Sequence, residues 1–187
     1  MTLKEIQTYL QSQAEDSVKV SIQKFVPNAT RIYGIKMPIL NALAVTIQEG
    51  GFVLAEKLWE SGSFEDRILA AKLLRRICKT DPHAALNLVE KFSTVIDNWA
   101  LCDTLGMQSL KPVNKILQPQ IFLLSEKLST SDLMWQRRLS LVLLEDFCKQ
   151  KNLHKTIQKR INEHKNDNAY YIKKAVEWLQ ASLNKRI

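Results

Sequence analysis

Three features of the 187 residues predict an all-α fold: only five Gly and five Pro with few β-branched runs, apolar side chains recurring at three- and four-residue spacing, and a segment that returns about every 35 residues. The first marked helix is entered at Pro38 in KMPIL, since proline fixes φ for a first turn and has no N–H to leave unpaired there. Gly50 and Gly51 in QEGG are expected to close it, and Ser61–Gly62–Ser63 to form a turn. Asp81 followed by Pro82 starts another helix. Within RILAAKLLRRICK (67–79) and LMWQRRLSLVLLEDFCK (133–149) the apolar spacing is that of helices buried on one side.

The repeat fixes the architecture. FEDRILA at 64, WALCDTL at 99, WQRRLSL at 135 and YYIKKAV at 170 align with steps of 35, 36 and 35 residues. Such a period without strands marks stacked helical pairs, each burying its apolar face on its neighbours. The Gly and Ala positions of tetratricopeptide units are missing, so a HEAT-like solenoid is expected. Each unit opens with an aromatic residue, and Arg67, Arg138 or Lys173 follows three residues later. Residues so spaced share a helix face. If these helices line the inner curve, they form rungs of a concave basic groove able to track a phosphate backbone. Phe64 and Tyr170 serve equally well as core residues, and the bases as solvated charge.

Length and composition fit a single domain, residues 1–187, able to bury a core without disulfide or metal. Cys78, Cys102 and Cys148 are odd in number and lie in apolar helical stretches, so buried reduced thiols and a cytoplasmic setting are expected. MTLKEIQTYLQ lacks the features of a signal peptide, and no apolar run approaches the ~18 residues needed to span a bilayer. The net charge of +8 is unevenly placed: residues 1–110 carry 12 basic and 12 acidic side chains, residues 111–187 carry 15 and 7. That excess suggests a polyanion partner, because Lys and Arg that neutralise phosphates release counterions.

In the second unit the basic rung is replaced by Cys102, followed by Asp103 four residues after Trp99. A carboxylate facing a basic groove repels phosphate. Asp103 therefore either pairs with Arg138 or does chemistry.

At these residues the chain resembles the AlkD-like DNA alkylation repair enzymes, HEAT-like glycosylases that excise cationic alkylated purines. The resemblance runs from YGIKMP (33–38) through WESGSFEDRILAAKLLRR and DNWALCD to YYIKKAVEWLQASL, about four fifths of the chain. It places the family's Trp-x-x-x-Asp on Trp99 and Asp103, its Trp-x-x-Arg on Trp135 and Arg138, and its last cleft tryptophan on Trp178. It implies a monomer acting on double-stranded DNA with alkylated bases. Asp103 would be the essential carboxylate, Trp99 and Trp178 would flank the sugar, and Arg138, with Arg137, would hold a phosphate. Trp135, Arg67 and Lys173 complete the expected DNA-binding set. A solenoid that binds damaged or branched DNA without cleaving it, or a protein-interaction scaffold, is the competing expectation.

His83, His154 and His164 are dispersed, and no HExxH, CxxC, GxxxxGK or GxGxxG occurs, so no metal or cofactor is expected. Trp59, before the SGS turn, reads as a packing residue.

Overall fold

The computed structural model describes residues 1–185; Arg186 and Ile187, the end of the expected 1–187 domain, lie outside the described residues. Its helices are α1 (Leu3–Ser12), α2 (Asp16–Phe25), α3 (Met37–Thr46), α4 (Gly51–Glu60), α5 (Phe64–Ile77), α6 (Pro82–Ser93), α7 (Trp99–Gln108), α8 (Gln118–Ser129), α9 (Met134–Val142), α10 (His154–Glu163) and α11 (Tyr170–Asn184). The described residues form no strand.

Packing follows the repeat. α3, α5, α7, α9 and α11 stack on one another in chain order, and α4, α6, α8 and α10 each pack on the helix that follows. This two-row stack of helical pairs is the arrangement of a helical-repeat solenoid. α5, α7, α9 and α11 begin at 64, 99, 134 and 170, within one residue of the starts read from the sequence. One hydrophobic cluster runs from Ile6 to Leu183 through both rows. Among the described residues no single helix is long and apolar enough to cross a membrane.

Local chemistry sets the boundaries. Ser63 accepts the N–H of Asp66 at 3.3 Å, Asp81 that of Ala84 at 2.9 Å, and Asn98 that of Leu101 at 3.0 Å, each satisfying a first-turn donor that the helix leaves unpaired. Two expectations are corrected. QEGG does not simply end a helix: α3 stops at Thr46, a 3-10 turn spans Gln48–Gly50, and Gly51 takes φ 58° as the chain turns into α4. The 133–149 stretch is not one helix either. α9 ends at Val142, and a 3-10 segment over Glu145–Lys149 turns Phe147 edge-on to Phe122 at 5.2 Å and lets Asp146 accept from Asn114 at 3.1 Å.

All three cysteines are buried. Trp59 is 2% exposed and stacks on Phe92 with ring centroids 4.5 Å apart, so its packing role holds.

A buried carboxylate anchors the N-terminal helices to the stack. Glu65, wholly buried in the first turn of α5, accepts the backbone N–H groups of Tyr33, Gly34 and Ile35 at 3.0, 2.7 and 3.1 Å. Gly34 has φ 95°, and a Cβ there would stand 2.5 Å from the carbonyl oxygen of Glu15, so only glycine fits this close approach. Next to Glu65, Asp66 accepts from Gln7 of α1 at 2.9 Å and from Ser61 at 2.7 Å.

Candidate active site

The approach of α7 to α9 is set by a glycine. A Cβ on Gly106 would meet Val142 at 2.7 Å and Leu139 at 2.9 Å, distances no side chain tolerates. One turn before Gly106 on α7 stands Asp103; beside Leu139 on α9 stands Arg138. The close helix approach therefore brings these two into contact. Nε and one terminal nitrogen of Arg138 donate to the two carboxylate oxygens of Asp103, both at 3.0 Å, in a bidentate pair. The other terminal nitrogen donates to the Tyr171 carbonyl of α11 at 2.6 Å. One guanidinium thus ties three successive helices together.

The pair is only partly withdrawn from water: the Arg138 side chain is 9% exposed and that of Asp103 27%. Burial raises the Asp103 carboxyl above its ordinary value, and Arg138 opposes that through its hydrogen bonds and charge. Two parallel N–H donors need both oxygens as acceptors, which is the ionised form. A carboxylate has about four lone-pair sites, so roughly two remain for a ligand. Asp103 itself lines a cleft of about 310 Å³ whose other walls include Trp99, Phe64, Met37, Lys72 and Gln108. Beside Asp103, Cys102 lies at 0% exposure, and burial pushes its thiol far up, leaving it protonated and inert.

Trp99 lines the same cleft, its indole N–H donating to the Phe25 carbonyl at the end of α2 at 3.1 Å. Trp178 is half-buried on α11. No hydrogen bond or ring contact described for residues 1–185 joins it to Trp99 or Asp103. Trp135 packs on Tyr171 with centroids 4.9 Å apart.

The arginines expected to face phosphate are each engaged by an acid. Arg138 holds Asp103; Arg67 reaches Asp97 at 3.3 Å and Arg137 reaches Asp167 at 2.9 Å. Arg67 and Arg137 are each followed 30 residues later by their acids, which lie just before α7 and α11. By position in its helix, the counterpart of Arg67 is thus Arg137, one residue earlier than the alignment at 135 suggests, and these two clasp adjacent repeats. Lys173 is exposed, and no ion pair is described for it.

Asp97, Asp167, Glu65 and Lys72 were missed by the sequence reading. A signal for the first two exists, since aspartates stand at 97, 132 and 167, spaced 35 apart. Among the described residues no three His, Cys, Asp or Glu side chains are grouped to hold a metal ion.

No curated protein is a significant match to the chain. A family model described as DNA alkylation repair enzyme matches residues 6–186, starting well before the Tyr33 at which the motif resemblance begins. The match spans all four repeats and the Asp103 site, and the chain belongs to the DNA alkylation repair enzyme family.

Proposed function

We propose that the chain is a DNA glycosylase that hydrolyses the N-glycosidic bond of purines alkylated at N3 or N7 in duplex DNA. The observation that carries this reading is Asp103: a partly exposed carboxylate, held by both oxygens to Arg138 and lining a cleft together with Trp99. A purine alkylated at N3 or N7 is already cationic, so it leaves as a neutral base without a general acid. As the bond from C1′ to the ring nitrogen breaks, its electron pair goes to the base and positive charge moves to the sugar. Asp103 would stabilise that charge and orient the water whose oxygen bonds to C1′, accepting its proton. Trp99 would offer a ring face to the sugar cation, a contact worth ~2 kcal/mol or more when desolvated, and Trp178 is proposed as the second ring.

Arg138, taken up by Asp103 and Tyr171, positions the carboxylate in this arrangement. Phosphate binding falls first to Lys173 and to whichever arginines exchange their acids for phosphate; Trp135 supports the site through Tyr171. The setting proposed is a cytoplasmic monomer with residues 1–187 as one unit, supported by the continuous core and the burial of all three cysteines.

The second reading is a non-catalytic DNA-binding solenoid in which Asp103 serves only as the counter-ion of Arg138, favoured by the satisfied bidentate pair itself. Incubation with a duplex carrying one N7-methylguanine separates the two. The glycosylase reading expects free 7-methylguanine and an abasic site in equal amounts; a bound but intact duplex would leave the non-catalytic reading.

A further inference from the structure

Beside the Asp103 cleft lies a second hollow, of about 240 Å³, lined by Asn41 and Ala44 of α3, Lys72, Arg75 and Arg76 of α5, and Gln108 of α7. Lys72, Arg75 and Arg76 are three and four residues apart, hence on one helix face. No carboxylate lines the hollow. Lys72 is 7% exposed, yet its ammonium has one long contact, 3.4 Å to the Gln108 amide oxygen. No ion pair is described for any of these cations among residues 1–185, whereas Arg67, Arg137 and Arg138 each hold an aspartate. Burial first, and then the charges of Arg75 and Arg76, lower the Lys72 amine from its ordinary value.

Arg75 and Arg76 occupy the last turn of α5, where a cation favours the helix end. That explains their presence but not a buried ammonium lining the same hollow. Like charges grouped without a paired acid are stabilised when an anion enters. Lys72 and Gln108 also line the Asp103 cleft, so the two hollows share a wall.

We propose that this hollow is a phosphate site that takes a backbone phosphate of the strand whose sugar occupies the Asp103 cleft. Lys72, Arg75 and Arg76 supply charged donors and the amides of Asn41 and Gln108 neutral ones. Such a site fixes the register of the strand without reading its sequence. The proposal rests on the DNA-acting reading above and is independent of whether excision occurs.

The test is binding of a duplex carrying a tetrahydrofuran abasic analogue, which cannot be cleaved, across a range of salt. Wild type is compared with Arg75→Gln/Arg76→Gln, whose side chains are half-buried and exposed and whose loss spares the core. Duplexes with one neutral methylphosphonate at successive linkages accompany both. The expected result is one linkage near the lesion where the neutral group weakens wild-type binding roughly 10-fold and leaves the double variant indifferent, with the variant's salt slope smaller by about one. An unchanged slope and the same interference pattern in both proteins overturn the proposal. So does inorganic phosphate raising the melting temperature of wild type and not of the variant while the interference patterns coincide, which assigns the hollow to a free anion. Base release from an N7-methylguanine duplex is read alongside: release absent with interference present removes the glycosylase reading alone, and release present with interference unchanged removes the phosphate site alone. A wild type that binds no DNA overturns both.

Discussion

Asp103→Asn is expected to lower purine release at least ~100-fold while DNA binding stays within about threefold, since a preorganised group aimed at developing charge contributes ~2.7–4 kcal/mol to a barrier. Asparagine keeps the shape and one acceptor for Arg138 and removes the charge that faces the sugar. The same change leaves Arg138, at 7% exposure, without its counter-ion. Removing one partner of a fully buried pair costs ~3–5 kcal/mol. Asp103 retains 27% of its side-chain exposure, so about 2 kcal/mol is expected. That corresponds to roughly 4–8 °C in melting temperature for a chain of this length. Assays well below the new midpoint therefore separate chemistry from folding. Because the folded carboxyl is raised by burial, wild-type release should fall as pH drops through a value above the ordinary aspartate range, and the variant's residual release should lack that limb. Release by the variant within about threefold of wild type would make Asp103 a structural partner of Arg138.

Glu65→Ala is expected to produce the largest loss of stability, about 4 kcal/mol, because three backbone N–H groups lose their acceptor in a site closed to water. Leaving one buried donor unpaired costs ~1–3 kcal/mol, and some relaxation toward solvent offsets the sum. The midpoint should fall by roughly 8–16 °C. Glu65→Gln retains one acceptor oxygen and should fall between Ala and wild type. The damage reaches the site, since the Tyr33–Ile35 segment leads into α3, which supplies Met37 to the cleft, and Trp99 donates to Phe25 of α2. A Glu65→Ala midpoint within about 2 °C of wild type would show that water replaces the carboxylate and that the clamp is incidental.

Much of the fold was legible because a repeat states the same instruction several times. The four aligned segments gave the starts of α5, α7, α9 and α11 to within a residue, and Pro38 and Asp81 marked helix entries through chemistry confined to one turn. The interruption after Val142 was not legible, because LVLLEDFCK keeps helical spacing and only Phe122 and Asn114, distant in sequence, select the 3-10 form. At the site, the pairing of Asp103 with Arg138 was one of two outcomes the sequence allowed. Its geometry depends on Gly106, which looks unremarkable in a helix until Leu139 and Val142 are packed against it. The basic rungs show the limit most clearly. Arg67, Arg137 and Arg138 have the spacing of a groove lining, yet whether such a side chain faces phosphate or clasps the next repeat is decided by where Asp97, Asp167 and Asp103 stand in space. Lys72 escaped notice because a lysine within an apolar helix face carries no local mark of lacking a counter-ion.

The most direct measurement compares the affinity of wild type and Asp103→Asn for two duplexes that differ at one position, a cationic pyrrolidine in place of the sugar or a neutral tetrahydrofuran. A mimic of the charge that forms in the transition state should be preferred by a catalyst built for it. If Asp103 stabilises a sugar cation, wild type favours the pyrrolidine by at least ~100-fold, in line with the contribution expected of such a group, and the variant loses most of that preference. Equal affinity of wild type for the two duplexes would contradict a catalytic role for Asp103 and leave the protein a reader of damaged DNA.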